Sequence, residues 1–120
     1  MSAPIDVPYR VVVAKVAELV LGYDTDGGVN FEWKPYHQRT PEARRDYDRL
    51  EASIRAHGLK KPLLTYRGHV LIGMRRAEIL AKLGVEHVAC WEILDDVSKW
   101  ATADLVKLDW LKARVGAHGY

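Results

Sequence analysis

Cysteine is almost missing from this sequence. Cys90 is the only one, so no internal disulfide can form, and a cysteine-based metal site is equally remote. Such usage suits a reducing, cytoplasmic compartment. No apolar run comes near the ~20 residues that a membrane span needs, and no membrane partner is expected. The opening Met1-Ser-Ala-Pro-Ile-Asp6 has no basic stretch followed by an apolar one, so a secretory signal is not expected. Repeats and low-complexity tracts are lacking too. What is present is 120 residues, 48% hydrophobic and 28% charged, the make-up of one soluble domain. Collagen, coiled coil and wholesale disorder are excluded.

Charge is unevenly spread. From Lys34 to Lys82 there are twelve basic residues against five acids, a net of +7. The remainder holds six bases against eleven acids, a net of −5, which leaves the whole chain at +2. A basic middle between acidic ends suits an anionic ligand. It equally suits a solvated face on a long helix with lysines in loops.

Residues 8 to 21 open with a β-branched run suited to a strand, and Gly22 ends that element. Residues 23 to 40 carry Asp-Gly-Gly, Asn, Pro and scattered aromatics without a usable period, which reads as a long loop. Thr40-Pro41-Glu42 then starts a helix: a capping threonine, a proline at the first helical position, an acid in the first turn. Ala43, Tyr47, Leu50 and Ile54 form its apolar stripe, and Gly58 stops it. Pro62 to Tyr66 and His69 to Ile72 make a hairpin about Arg67-Gly68, with Gly68 at positive φ. A short helix from Arg75 to Leu83, a strand from Glu86 to Ile93 and a helix capped by Asp95 or Asp96 complete the chain. The last helix carries its stripe on Ala101, Leu105, Leu108, Leu111 and Val115. The expected fold is a small α+β domain: a mixed sheet of about four strands, two helices packed on it and an added C-terminal helix. Its core covers about residues 8–94, and the last helix about 96–115.

Val70 to Leu80 reads as strand, tight glycine turn and helix. A helix start offers unpaired N–H groups and a partial positive charge. Arg75 and Arg76 in the first turn oppose that charge, at about 0.3–1 kcal/mol each. Both make sense if a phosphate neutralises them, since the arginine fork binds phosphate oxygens in pairs. The alternative is that one arginine pairs with Glu42 or Asp46 and the other is solvated.

Taken in order, Ser53-Ile-Arg-Ala-His-Gly-Leu-Lys-Lys-Pro-Leu-Leu64, a hairpin, Gly73-Met-Arg-Arg-Ala77, Lys82-Leu-Gly84 and a strand resemble the ParB/sulfiredoxin-like domain. Order and spacing match across residues 11 to 93. The resemblance implies a nucleotide ligand, CTP as in ParB proteins or ATP as in sulfiredoxin and related kinases, together with Mg²⁺. It implies a DNA-related setting, with nucleotide hydrolysis, phosphotransfer or ParB-like nuclease activity as further options. Carried over, Gly73, Met74, Arg75 and Arg76 form the phosphate cradle. Gly58, Leu59 and Pro62 form the preceding nucleotide-contacting turn, where Lys60 and Lys61 add charge. Ser53 matches a polar position facing the nucleotide, and Arg39 resembles the arginine that precedes the long helix.

The departures narrow this reading. Met74 stands where sulfiredoxin has its catalytic cysteine, which excludes that activity. The acid-Asn-x-x-Arg segment that positions Mg²⁺ and triphosphate in ParB has no match in Leu94-Asp-Asp-Val-Ser98. No helix-turn-helix follows, so a complete partition clamp is not expected. No residue stands out as catalytic. Asp24, Asp26 and Glu32 are loop acids that could serve as a general base or Mg²⁺ ligand, or simply be solvated. His37, His57, His69, His87 and His118 lack metal-ligand spacing. His69 could touch a ligand or sit half-exposed in its strand. Trp33 and Tyr36 are the pair to test for base stacking, whereas Trp91 and Trp100 read as core. Cys90 reads as a small buried hydrophobe. Trp100 and Trp110 lie off the last helix's stripe, and that helix could mediate a homodimer or close the core. Two rival functions stand beside nucleotide binding: a DNA- or RNA-binding module without a nucleotide, and a protein-interaction or inhibitor domain that has lost the site.

Overall fold

The computed structural model describes residues 6–118. Seven strands and three α-helices follow one another as β1 (Tyr9–Lys15), β2 (Val20–Leu21), β3 (Tyr23–Asp24), β4 (Asn30–Phe31), α1 (Pro41–His57), β5 (Leu63–Tyr66), β6 (His69–Ile72), α2 (Met74–Lys82), β7 (His87–Ile93) and α3 (Leu105–His118). Five strands form a mixed sheet in the order β1-β7-β5-β6-β2. β1 runs antiparallel to β7, and β5 antiparallel to β6, while β5–β7 and β2–β6 are parallel. No described helix is long and apolar enough to cross a membrane.

The sheet divides the core into two apolar layers. Along β7, Val88 and Cys90 face the layer built with α1 and α2, and Trp91 and Ile93 face the layer closed by α3. Every residue of β5 is buried, as befits a strand covered on both sides. This explains why Leu63 and Leu64 follow one another without a polar break. Tyr47 and Ile54 bury the apolar stripe of α1 against the first layer, and Ala77, Ile79 and Leu80 do so for α2. Cys90 is fully buried, and burial, helped by the charge of Glu92, pushes its thiol up to about 11. It behaves as the small hydrophobe expected of it. Trp91 and Trp100 are core residues too.

Three sequence expectations change. The run from 8 to 21 is two strands, because a 3-10 turn at Val16–Glu18 breaks it, and β2 raises the sheet from four strands to five. The expected loop from 23 to 40 holds the β3–β4 ribbon and a 3-10 turn at Tyr36–Gln38. It is ordered by packing that local sequence does not reveal: Thr25 Oγ1 donates to the Trp100 carbonyl at 2.7 Å and accepts from the Val29 amide at 2.9 Å. Gly27 passes so close to Trp100 that a Cβ would lie 2.2 Å from its carbonyl oxygen. Finally, the last helix begins at Leu105, not near 96. Two 3-10 turns precede it, because the two aspartates are engaged elsewhere. Asp95 accepts from Trp100 Nε1 (3.0 Å) and Lys107 Nζ (3.1 Å), and Asp96 from Tyr66 and Ser98. Ala101 therefore lies outside the helix and is exposed, while Leu108, Leu111 and Val115 are buried as expected. The Arg67-Gly68 hairpin has both central φ values positive, 48° and 82°, the requirement of a two-residue primed turn.

Candidate anion site at the start of the second helix

β6 hands over to α2 through Gly73 alone. This residue is the helix N-cap, in the left-handed region at φ 97°, and a Cβ on it would lie 2.6 Å from Leu63 Cδ2. Both facts require glycine. With no side chain to cap the helix and no acid in its first turn, the leading N–H groups of α2 lack a protein acceptor of the usual kind. In front of them lies a cleft of about 500 Å³.

Four elements line that cleft. The segment before α1 gives Glu32, Trp33, Lys34 and Arg39, and α1 gives Ala43 and Leu50. The turn gives Leu71 through Arg76, and α3 gives Lys112. Five cationic side chains thus surround it (Lys34, Arg39, Arg75, Arg76 and Lys112), against a single carboxylate, Glu32.

Arg39 is the anchor of this group. Its side chain is only 7% exposed, and Nη2 donates to Glu78 Oε2 at 2.9 Å. The guanidinium lies 5.1 Å from the centroid of the Tyr47 ring. Burial, then the charge of Glu78, raises the Tyr47 phenol above its ordinary value, so the ring stays neutral beneath the cation. Arg39 Nη1 is buried and has no hydrogen-bond partner. An orphaned buried donor on a charged group costs about 1–3 kcal/mol or more. Glu78 also accepts from Trp33 Nε1 at 3.0 Å, which ties the incoming segment to α2.

The arginines that the sequence singled out behave differently from each other. Arg75 is exposed and makes no ion pair among the described residues. Arg76 is half-buried and lines a second recess of about 160 Å³ as well as the cleft. That recess is formed by Leu50, Ser53, Ile54, Gly58, Leu59, Lys60, Lys61 and Arg76. The expected site residues therefore fall into two adjoining groups. Arg39, Gly73, Met74, Arg75 and Arg76 line the cleft, and Ser53, Gly58, Leu59, Lys60 and Lys61 line the recess, with Leu50 and Arg76 common to both. Pro62 lines neither. Glu42 and Asp46, the suggested partners, pair with Arg45 and Arg49 on their own helix.

Other candidates separate. Trp33 lines the cleft, but Tyr36 does not: its hydroxyl lies 3.2 Å from both oxygens of Asp48, and its ring packs edgewise on Tyr47. His69 Nδ1 sits 3.1 Å from the Gly22 carbonyl and its ring lies edgewise to Tyr23, away from the cleft. Of the loop acids only Glu32 reaches the cleft; Asp24 lines a neighbouring hollow and Asp26 neither. Trp110 is half-buried with the Arg114 guanidinium 4.8 Å from its ring centroid. Among the described residues no three His, Cys, Asp or Glu side chains gather as a metal site. Glu32 is the one carboxylate that lines the cleft, and the five cations beside it, rather than the number of carboxylates, set the cleft against a Mg²⁺ ion.

Lys34, Lys112 and Glu78 were not singled out from the sequence. Glu78 carries a signal in hindsight, as the lone acid of α2 one turn beyond Arg75. Lys112 carries none, since only the packing of α3 brings it to α2.

Two solved structures of a pNOB8-like ParB N-domain superpose on this chain. One, in its C2221 form, is 18% identical at a TM-score of 0.55, over 93% of this chain and 38% of its own. The other is 21% identical at a TM-score of 0.58, over 83% of this chain and 33% of its own. The present chain thus spans between a third and two fifths of their length. No family model matches the sequence, and no curated protein does. The likeness shows the fold: an α+β domain of ParB N-domain type, with a five-stranded mixed sheet and three helices.

Proposed function

We propose that this domain binds a nucleoside triphosphate, CTP or ATP, in a ParB-like, DNA-associated setting. The phosphates lie in the cleft at the start of α2, and the nucleoside end extends toward the recess around Ser53 and Leu59. One observation carries the reading: the buried Arg39, whose Nη1 has no hydrogen-bond partner, lines the same cleft as an uncapped helix start and Arg75. A phosphate in the cleft offers acceptors to the helix start and Arg75 and a counter-charge to the guanidinium of Arg39, whose Nη1 gains a partner once it turns toward the ligand. Glu78 and Tyr47 hold the guanidinium at the cleft, so little ordering is left to be done on binding. The DNA-associated setting rests on the fold alone. No catalytic step is assigned to the cleft.

The test is a thermal-shift panel of the four ribonucleoside triphosphates. A saturating ligand raises the melting temperature, by an increment that grows with concentration above Kd. Arg39→Gln and Arg75→Ala are each expected to abolish the rise while leaving a folded protein. If no triphosphate shifts the wild type, the reading fails. A DNA- or RNA-binding module without a nucleotide would instead show affinity for nucleic acid that falls steeply with salt.

A further inference from the structure

We infer that Lys34 and Lys112 take the part of a divalent cation in this cleft, so that the ligand binds without Mg²⁺. The inference rests on the triphosphate reading above and adds to it which groups neutralise the phosphate tail. Arg39, Arg75, Arg76 and the start of α2 all line the cleft, and they can serve one or two phosphate groups. A nucleotide's remaining charge lies further out and needs its own counter-charge. In most phosphate sites a Mg²⁺ does this, held by one or two carboxylates of the protein. Here Glu78, the acid of α2, is committed to Arg39 and Trp33. Glu32 alone is left, and the lining adds two further cations, Lys34 from the segment before α1 and Lys112 from α3. A second cation beside these two ammonium groups would be repelled by them. Both lysines are exposed, and neither has an ion-pair partner among the described residues. Each can therefore swing onto a terminal phosphate at little structural cost. The placement of Lys112 also means that a bound tail bridges α2 and α3, two elements that belong to opposite core layers.

The experiment is calorimetric titration of the full chain with CTP, ATP and inorganic tripolyphosphate, each in EDTA and again in excess Mg²⁺. Tripolyphosphate isolates the tail from the base. The affinity for at least one probe is expected to be equal or higher in EDTA. Lys112→Gln and Lys34→Gln should each weaken binding in EDTA by about tenfold, the loss of one charge-assisted contact. Glu32→Gln should leave the affinity unchanged or raise it in both conditions. Circular dichroism checks that the variants fold, which their surface positions favour. Binding seen only with Mg²⁺, or weakened by Glu32→Gln only when Mg²⁺ is present, overturns the inference and leaves the nucleotide reading intact. Unchanged affinity in both lysine variants does the same. Absence of binding to every probe in both conditions overturns the two together.

Discussion

The two main helices begin in opposite ways. α1 opens with Thr40, whose Oγ1 accepts from the Ala43 amide at 3.2 Å, then Pro41 and Glu42, each suited to its place. α2 opens with a bare glycine in the left-handed region, no acid in the first turn, and two arginines. Both helices pack the same core layer, so their difference does not come from burial. One start satisfies itself with its own side chains, and the other leaves donors and positive charge facing a cleft. A chain selected for stability alone would build both ends like α1.

The largest way to break this contrast is to give the α2 start a side chain. Gly73→Ala should cost about 3 kcal/mol, combining left-handed strain with a clash into fully buried Leu63. Urea denaturation measures it, and a loss below about 1 kcal/mol would mean that the turn relaxes freely. Next in size is the control at the other helix. Thr40→Ala should cost about 1 kcal/mol in the same assay, with ligand affinity changed little, because only the cap is lost.

Much of this contrast can be read before folding, and some of it cannot. The Thr40-Pro41-Glu42 start, the Arg67-Gly68 turn and the Gly73 handover are local, set by backbone preferences of the residues themselves, and they form where the sequence puts them. The 23–40 segment defeats such reading because what orders it is Trp100, some seventy residues away. Asp95 and Asp96 mislead for the same reason: as isolated residues they suit a helix cap, yet Trp100, Lys107 and Tyr66 claim them first. In the cleft, Arg75 and Arg76 are legible as misfits on a helix start. The burial of Arg39, its Glu78 partner and the approach of Lys112 depend on three elements meeting, which no local pattern encodes.

A smaller effect, of opposite sign, sharpens the comparison from the α2 side. Arg75→Asp places an acid where the helix charge favours one, and should stabilise the ligand-free domain by about 0.3–1 kcal/mol. The same change should remove the nucleotide-induced thermal shift, so stability and binding move apart in one variant. Thermal melts with and without CTP or ATP read both quantities. A variant that loses stability would show that Arg75 serves the fold in some way its exposed position does not suggest.

The smallest expected effect belongs to the third helix start, which sets a ruler for the other two. Ahead of α3, Asp104 Oδ2 accepts from the Ala101 amide at 2.9 Å, and Oδ1 lies 3.3 Å from Lys107 Nζ. The backbone hydrogen bond, then Lys107, hold its carboxyl below the ordinary aspartate value. A depressed folded value means that Asp104 contributes stability above the ordinary carboxylate range near pH 4 and loses it as pH falls through that range and below. Asp95, where burial acts upward but the bonds from Trp100 and Lys107 prevail, shifts in the same direction and adds to the loss. Melting temperatures of wild type and Asp104→Asn should therefore differ by a constant amount from pH 8 to about 5 and converge toward pH 3. The gap should be modest, because the aspartate is a third exposed and solvent screens it. Parallel curves for Asp104→Asn and wild type down to pH 3 would mean that the charge of this capping acid contributes nothing measurable to holding α3.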